Sequence, residues 1–156
     1  MTLLLEKFKE VYFEMLEETF EKVHGYYLDR GTSLFETLET ISSEVASRPV
    51  SANCASIAAH VEHVNFYLNY LEDHMLDQNP PKANWKEIWE RVQAVSPDEW
   101  EASKQKLKAS YQHIRETMQS FDSWEGEEDI SGAMSILIHT AHHLGEIRQA
   151  CCTVKP

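Results

Sequence analysis

The amino-acid sequence predicts an all-α fold arranged as a four-helix bundle. Three observations point there. The chain of 156 residues contains only 5 Gly and 5 Pro. Its apolar residues recur at spacings of three and four almost throughout, and the serines and prolines that interrupt this rhythm stand where helices start or stop. The length suits a single domain, 1–156, with a full core.

Leu4, Phe8, Val11 and Met15 make one apolar face of a first helix running to about Val23. Ser33-x-x-Glu36 resembles a capping box and opens a short helix over Ser33–Val45. Ile57, Val61, Val64, Leu68, Leu71 and Met75 alternate four and three residues apart, which defines a second long helix stopped by Asn79-Pro80-Pro81. Ile88, Trp89 and Val92 mark a short helix over Trp85–Val95 in the connection that follows. Ser96-Pro97-Asp98-Glu99 supplies an N-cap, a proline at the first helical position and a returning glutamate. It opens a third long helix through Leu107, Tyr111, Ile114, Met118 and Phe121. After a break at Asp122–Gly126 the last helix spans roughly Asp129–Cys152. Four long amphipathic helices of similar length close most simply as a bundle.

The net charge of −12 opposes both the phosphates of nucleic acids and the anionic face of membranes, so neither is expected as a partner. Charged residues from Glu6 onward interrupt the opening apolar run before it reaches the length of a secretory signal. No segment approaches the ~18 apolar residues of a membrane span. Three cysteines, two of them the adjacent Cys151 and Cys152, form neither a C-x-x-C pair nor a disulfide framework. A reduced, cytoplasmic setting is expected.

The most unusual stretch is His139-Thr-Ala-His142-His143-Leu-Gly-Glu146-Ile-Arg-Gln149. At about 100° per residue, Ile136, Ile147 and Ala150 define the inward stripe of the last helix, and His139 and His143 fall within about 60° of its centre. His142 lies about 120° away and points to the side or the surface. Two imidazoles at i and i+4 can meet one ion. On the second long helix His60 lies about 60° from the stripe centre, whereas His63 and His74 lie about 100–120° away. His60, His139 and His143 are therefore the candidate ligands of a divalent metal, with His24, His63, His74, His113 and His142 expected at the surface or an interface. A di-iron bundle site needs two Glu-x-x-His pairs, and only Glu21-x-x-His24 occurs. The protease motif His-Glu-x-x-His is absent.

With Ser56-Ile-Ala-Ala-His60-Val-Glu-His63 at the head of the second long helix and HTAHHLGEIRQ on the last, about 80 residues further on, the chain resembles the DinB/YfiT-like superfamily of metal-dependent enzymes over its whole length. The resemblance implies a bundle with a long crossover between the second and third helices, which residues 79–95 would supply. It also implies a divalent ion held by one histidine of the second helix and the HxxxH pair of the last, again His60, His139 and His143. Many relatives carry an arginine and a glutamine where this chain has Leu144 and Glu146. Glu146, about 80° off the stripe, reads as a solvated helix glutamate, with an acceptor behind a ligand histidine as the alternative.

The same resemblance implies thiol chemistry, since some relatives transfer low-molecular-weight thiols such as bacillithiol to electrophiles and others isomerise maleylpyruvate with mycothiol. The expected function is a metal-dependent thiol S-transferase acting on a small molecule. The alternatives are a hydrolase using a metal-bound hydroxide and a non-catalytic, stress-related binding bundle. Zinc or nickel is the expected ion, with iron or manganese also compatible with the ligands. No protein nucleophile is evident, because Cys54 lies nearly two turns before His60 and the other cysteines sit at a chain end. Phe66, opposite the core stripe of the second helix, with Tyr70 beside it, leads to the expectation of a homodimer, unless the Trp85/Trp89 helix covers the two rings within one chain.

Overall fold

The computed structural model describes residues 2–76, 80–121, 123–124 and 126–155, and among them the chain is all-α, with seven helices and no strand. These are α1 (Thr2–Phe20), α2 (Leu34–Glu39), α3 (Ser43–Ala46), α4 (Ile57–Met75), α5 (Trp85–Arg91), α6 (Pro97–Ser120) and α7 (Glu127–Val154). No helix among the described residues is long and apolar enough to cross a membrane.

The start signals read at Ser33 and Ser96 act as expected, and Ser56, not read as a cap, accepts a hydrogen bond from the Ala59 N–H at the head of α4. Ser96 accepts one from the Glu99 N–H, while the Glu99 carboxylate accepts one from the Ser96 N–H at 2.7 Å. At α2 the Glu36 carboxylate accepts from the Ser33 N–H. The single short helix expected over Ser33–Val45 is two, because Ser42 caps a new turn by accepting from the Val45 N–H. The Trp100 indole N–H then ties the intervening Ile41 carbonyl to α6 at 2.7 Å. Other ends shift. α4 stops at Met75, and Asn79, where the stop was placed, lies outside the described residues, as does Asp122 before the last helix. α5 ends at Arg91 because Val92 is already extended.

α1 departs from the sequence reading twice. It ends at Phe20 rather than near Val23, since the fully buried Glu18 carboxylate accepts hydrogen bonds from the N–H groups of His24, Gly25, Tyr26, Tyr27 and Leu28. The following chain wraps round that anion, turning at Gly25 with a φ of 95°, which glycine adopts without a Cβ penalty. The buried line of α1 is also not Leu4-Phe8-Val11-Met15. Leu4 and Phe8 are exposed, and Tyr12, Leu16 and Phe20 face the core. Tyr12 fixes this rotation: its hydroxyl donates to the Ala133 carbonyl of α7 at 2.9 Å, and Trp124 packs edge-on against it.

α4 packs along both α6 and α7 and is capped on a third side by α5. Its contact with α6 is a polar seam at alternating spacings of three and four. The Glu62 carboxylate meets Lys106, Ser110 donates to Asn65 at 2.8 Å, Asn69 donates to Ser110, and Thr117 donates to the buried Glu72 at 2.5 Å. The α7 side carries the histidines. Phe66 and Tyr70 meet Trp85 of α5 edge-on, with centroids 5.7 and 5.6 Å away. Trp85 thus covers part of the aromatic face that suggested a dimer, and is itself 39 % exposed.

Burial works to raise the Glu18 pKa, but the backbone N–H groups prevail and lower it to about 2. Its contribution to stability is therefore present above pH 4.5 and is lost as pH falls toward 2. Glu18→Gln is expected to destabilise the protein by about 2–3 kcal/mol at neutral pH, as for lost hydrogen bonds to a buried charge. Chemical denaturation at pH 7 and pH 3 checks this: the gap between variant and parent should narrow at the lower pH.

Candidate metal centre

Four imidazoles and one carboxylate meet where the first half of α4 faces the middle of α7. His60 and His63 come from α4, and His139, His143 and Glu146 from α7. His63 Nε2 lies 3.0 Å from His139 Nε2, which lies 3.2 Å from His143 Nε2. On its other edge His143 Nδ1 is 2.7 Å from Glu146 Oε2 and 3.2 Å from His60 Nδ1. The ligand atoms of His63, His139 and His143 all lie within 4.8 Å of one another, as do those of His60, His143 and Glu146. His143 belongs to both sets and presents a different nitrogen to each.

The Glu146 carboxylate decides the protons. A carboxylate at 2.7 Å can only accept, so His143 Nδ1 carries hydrogen and donates. In a neutral ring the His143 Nε2 is then a bare lone pair, directed at His139. One N–H at most can serve the contacts between the three Nε2 atoms, so at least two lone pairs converge on a buried space with a single hydrogen between them. Such a surplus of acceptors attracts a cation.

Two of the three separations among the donors also suit a metal. At metal–nitrogen distances of about 2.0–2.1 Å, neighbouring ligand atoms sit about 2.9 Å apart at right angles and about 3.4 Å apart in a tetrahedron. The observed 3.0 and 3.2 Å fall in that interval. The Nδ1 atoms of His63 and His139 are buried without a hydrogen-bond partner, which leaves Nε2 as the working nitrogen of both rings. Two aromatic planes hold the rings: Trp89 stacks on His63 at 4.0 Å and Tyr67 on His139 at 3.5 Å. Burial keeps the cluster neutral. It pushes His60 and His63 down to about 4 and His139 to about 3, the neighbouring imidazoles adding to the effect on each. Burial lowers His143 as well, against the opposing pull of Glu146. Neutral imidazoles are the form that binds a metal.

Of the three ligands read from the sequence, His139 and His143 share one donor set, and His60 joins His143 in the other. His63 is a correction. Expected at the surface, it is only 6 % exposed and completes the Nε2 trio. The facing arithmetic assigned it outside a single buried stripe, but α4 is covered on three sides. The i, i+3 pair His60/His63, opposite an HxxxH pair, was the available signal. Glu146 was read as solvated; it is partly exposed yet bonds His143. His142 stays outside, with its side chain 64 % exposed.

Beside the cluster lies an open groove of about 1320 Å³, walled by residues 47–56, the end of α5 and the outer side of α7. His60, Trp89 and Glu146 line it, whereas His63, His139 and His143 stand behind them.

Compared with family models, curated proteins and solved structures, the chain matches none.

Two outcomes follow. Untagged protein is expected to bind one divalent ion, measured by elemental analysis, and to lose it in His139→Ala and His143→Ala but not in His142→Ala. His63→Ala should cost more affinity than His60→Ala, and Glu146→Ala about 10- to 100-fold, the usual effect of removing the acceptor behind a ligand histidine. Metal-stripped protein should hold its stability above pH 6.5 and lose it as pH falls from 6.5 toward about 4, because the unfolded chain takes up protons that the buried imidazoles refuse. Thermal unfolding midpoints that stay level from pH 7 to pH 4.5 would contradict the neutral cluster.

Proposed function

We propose that this chain is a DinB-like metal-dependent enzyme of the thiol S-transferase type, its four long helices α1, α4, α6 and α7 forming the bundle and residues 79–95 the crossover. The observation that carries the reading is the convergence of three neutral imidazole nitrogens, oriented by Glu146, behind a groove large enough for a small-molecule substrate. Three nitrogen donors leave coordination positions open, as in catalytic rather than structural sites. When bound, a divalent ion there would lower the pKa of a thiol or a water held against it.

The chain's own residues do the rest. His139 and His143 offer Nε2, and His63 completes the set from the structure's side, as His60 does from the resemblance. Trp89 and Tyr67 keep the rings from turning, so the donors are set before substrate arrives. Glu146 holds the His143 proton on Nδ1 through Oε2, and its Oε1 takes no hydrogen bond among the described residues. Glu146 lines the groove, and in this reading its free oxygen accepts the thiol proton. The sulfur then forms a bond to the acceptor carbon with its own electron pair, and the leaving group departs with the pair of the bond that breaks. Cys54 lines the groove but lies outside both donor sets, so it has no part in the transfer.

Metal-loaded, untagged protein is expected to accelerate conjugation of a simple thiol with an aryl chloride, and chelator-stripped protein to lose the activity. Cys54→Ser should retain it, and His143→Ala should abolish it with the fold intact by circular dichroism. Turnover that survives complete metal removal, or that disappears in Cys54→Ser with the ion still bound, overturns the reading in favour of a protein thiol. Protein that binds no ion at all would return the chain to a non-catalytic binding bundle.

A further inference from the structure

Residues 130–145 contain no Asp, Glu, Lys or Arg, in a chain where 26 % of the residues are charged. Burial explains this for the inward side of α7, which carries Ala133, Ile136, Thr140 and His143. It does not explain the outward side. There Ser131, Met134, Ile138, Ala141 and Gly145 follow one another at alternating spacings of three and four, which sets them in one line along the helix, and none of them is buried. Ile138, in the middle, is 61 % exposed. α6, another long helix with one side in water, carries Glu101, Lys106 and Glu116 at exposed positions instead. Gly145 is unexplained within the chain as well. Glycine weakens a helix interior, its backbone here is not in the left-handed region, and a Cβ added to it would meet nothing within 4 Å. Close approach of another backbone is a reason for glycine that remains.

The two ends of this line are charged, with opposite signs. Glu127 precedes Ser131 by four residues and Arg148 follows Gly145 by three, so both continue it, and neither enters an ion pair among the described residues. A strip with an acid at one end, a base at the other and neutral side chains between them is complementary to itself reversed. That is the requirement of a two-fold interface, in which the same patch serves both partners. We propose that a second copy of this chain docks here, α7 lying antiparallel on α7 about a two-fold axis near Ile138. Ile138 then meets its equivalent, Met134 faces the partner's Ala141 and Ser131 faces the partner's Gly145, so larger side chains meet smaller ones. Glu127 closes each end on the partner's Arg148. Two chains of −12 repel one another over most of their surfaces; a neutral strip closed by two ion pairs is where that repulsion is least. Gly145 also lines the groove, so the second copy would stand at the groove's rim. The inference does not depend on the thiol-transfer reading.

Sedimentation velocity on untagged, full-length protein tests it. A two-helix contact belongs at the small end of stable interfaces, and a dissociation constant of about 10 µM is expected, with dimer predominating at about 100 µM. Ile138→Glu sets two carboxylates against each other at the axis and should leave a monomer at that concentration, with its helicity and melting temperature unchanged because the site is exposed. Phe66→Glu, on the face that Trp85 partly covers, should remain a dimer. The register is read by charge exchange. Glu127→Arg alone and Arg148→Glu alone each put like charges together at both ends and should weaken the dimer about tenfold, whereas the double exchange should restore it to within about twofold. Parent protein that stays monomeric at about 100 µM overturns the inference and gives the face to a different protein. A dimer that survives Ile138→Glu but is lost in Phe66→Glu overturns it in favour of the aromatic face. A double exchange no better than the single ones overturns the antiparallel pairing.

Discussion

A helix covered on three sides leaves few of its polar side chains to water, and α4 is such a helix, with Asn69 and His74 its exposed exceptions. α6 and α7 press on it along its length and α5 closes a third side. Each polar group it carries inward must therefore find a partner on another helix or cost the free energy of an unsatisfied buried dipole. On the α6 side the partners are Lys106, Ser110 and Thr117, bonded to Glu62, Asn65 and Glu72. On the α7 side they are imidazoles facing imidazoles. The α6 seam closes as donor to acceptor. The α7 seam does not, because Glu146 occupies the one proton that would let His143 donate inward. The candidate metal centre is the place where the satisfaction of polar groups in this interface is left for something else to complete.

This also explains which parts of the molecule were legible in the sequence. Helix starts were, because a serine cap and a returning glutamate act within four residues and need no knowledge of the rest of the fold; Ser33 with Glu36 and Ser96 with Glu99 are both in place. The buried line of α4 from Ile57 to Leu68 was legible for a similar reason, since periodicity reports an apolar face directly. Periodicity reports apolar burial only, however. His63 is polar and off the stripe, so no count of angles from that stripe could bury it; only the arrival of Trp89 from a segment far along the chain does. The rotation of α1 was hidden likewise, since Leu4, Phe8, Val11 and Met15 are a better apolar line by composition than the one used. Tyr12 wins through a long-range bond to Ala133. The end of α1 was set by Glu18, whose five partners are spread over residues 24–28 and carry no sequence signature beyond an inward-pointing acid.

The HxxxH pair, by contrast, was legible down to its facing. Its two residues lie on a helix with a clear inward stripe, and both rings point to α4 as that stripe requires. What the helix alone did not show was that one histidine would offer different nitrogens to two neighbourhoods. His143 is the joint between a buried trio and a groove-facing trio. The groove ends at His60 and Glu146, and the inner nitrogens begin immediately behind them, so an event at one side is one imidazole ring away from the other.

The groove and the donors are built from different pieces of chain. The donors belong to α4 and α7, which are long, mutually packed and held by the core. Two of the groove's three walls belong to residues 47–56 and to α5, a helix of 7 residues anchored by Ile88 and its two tryptophans. A substitution at Asn53, Glu90 or Gln93 changes the lining of the groove without moving a donor nitrogen of α4 or α7, and the surrounding loops tolerate insertion far better than a packed helix does. The lining of the groove can therefore vary residue by residue while the donor nitrogens stay where the core holds them.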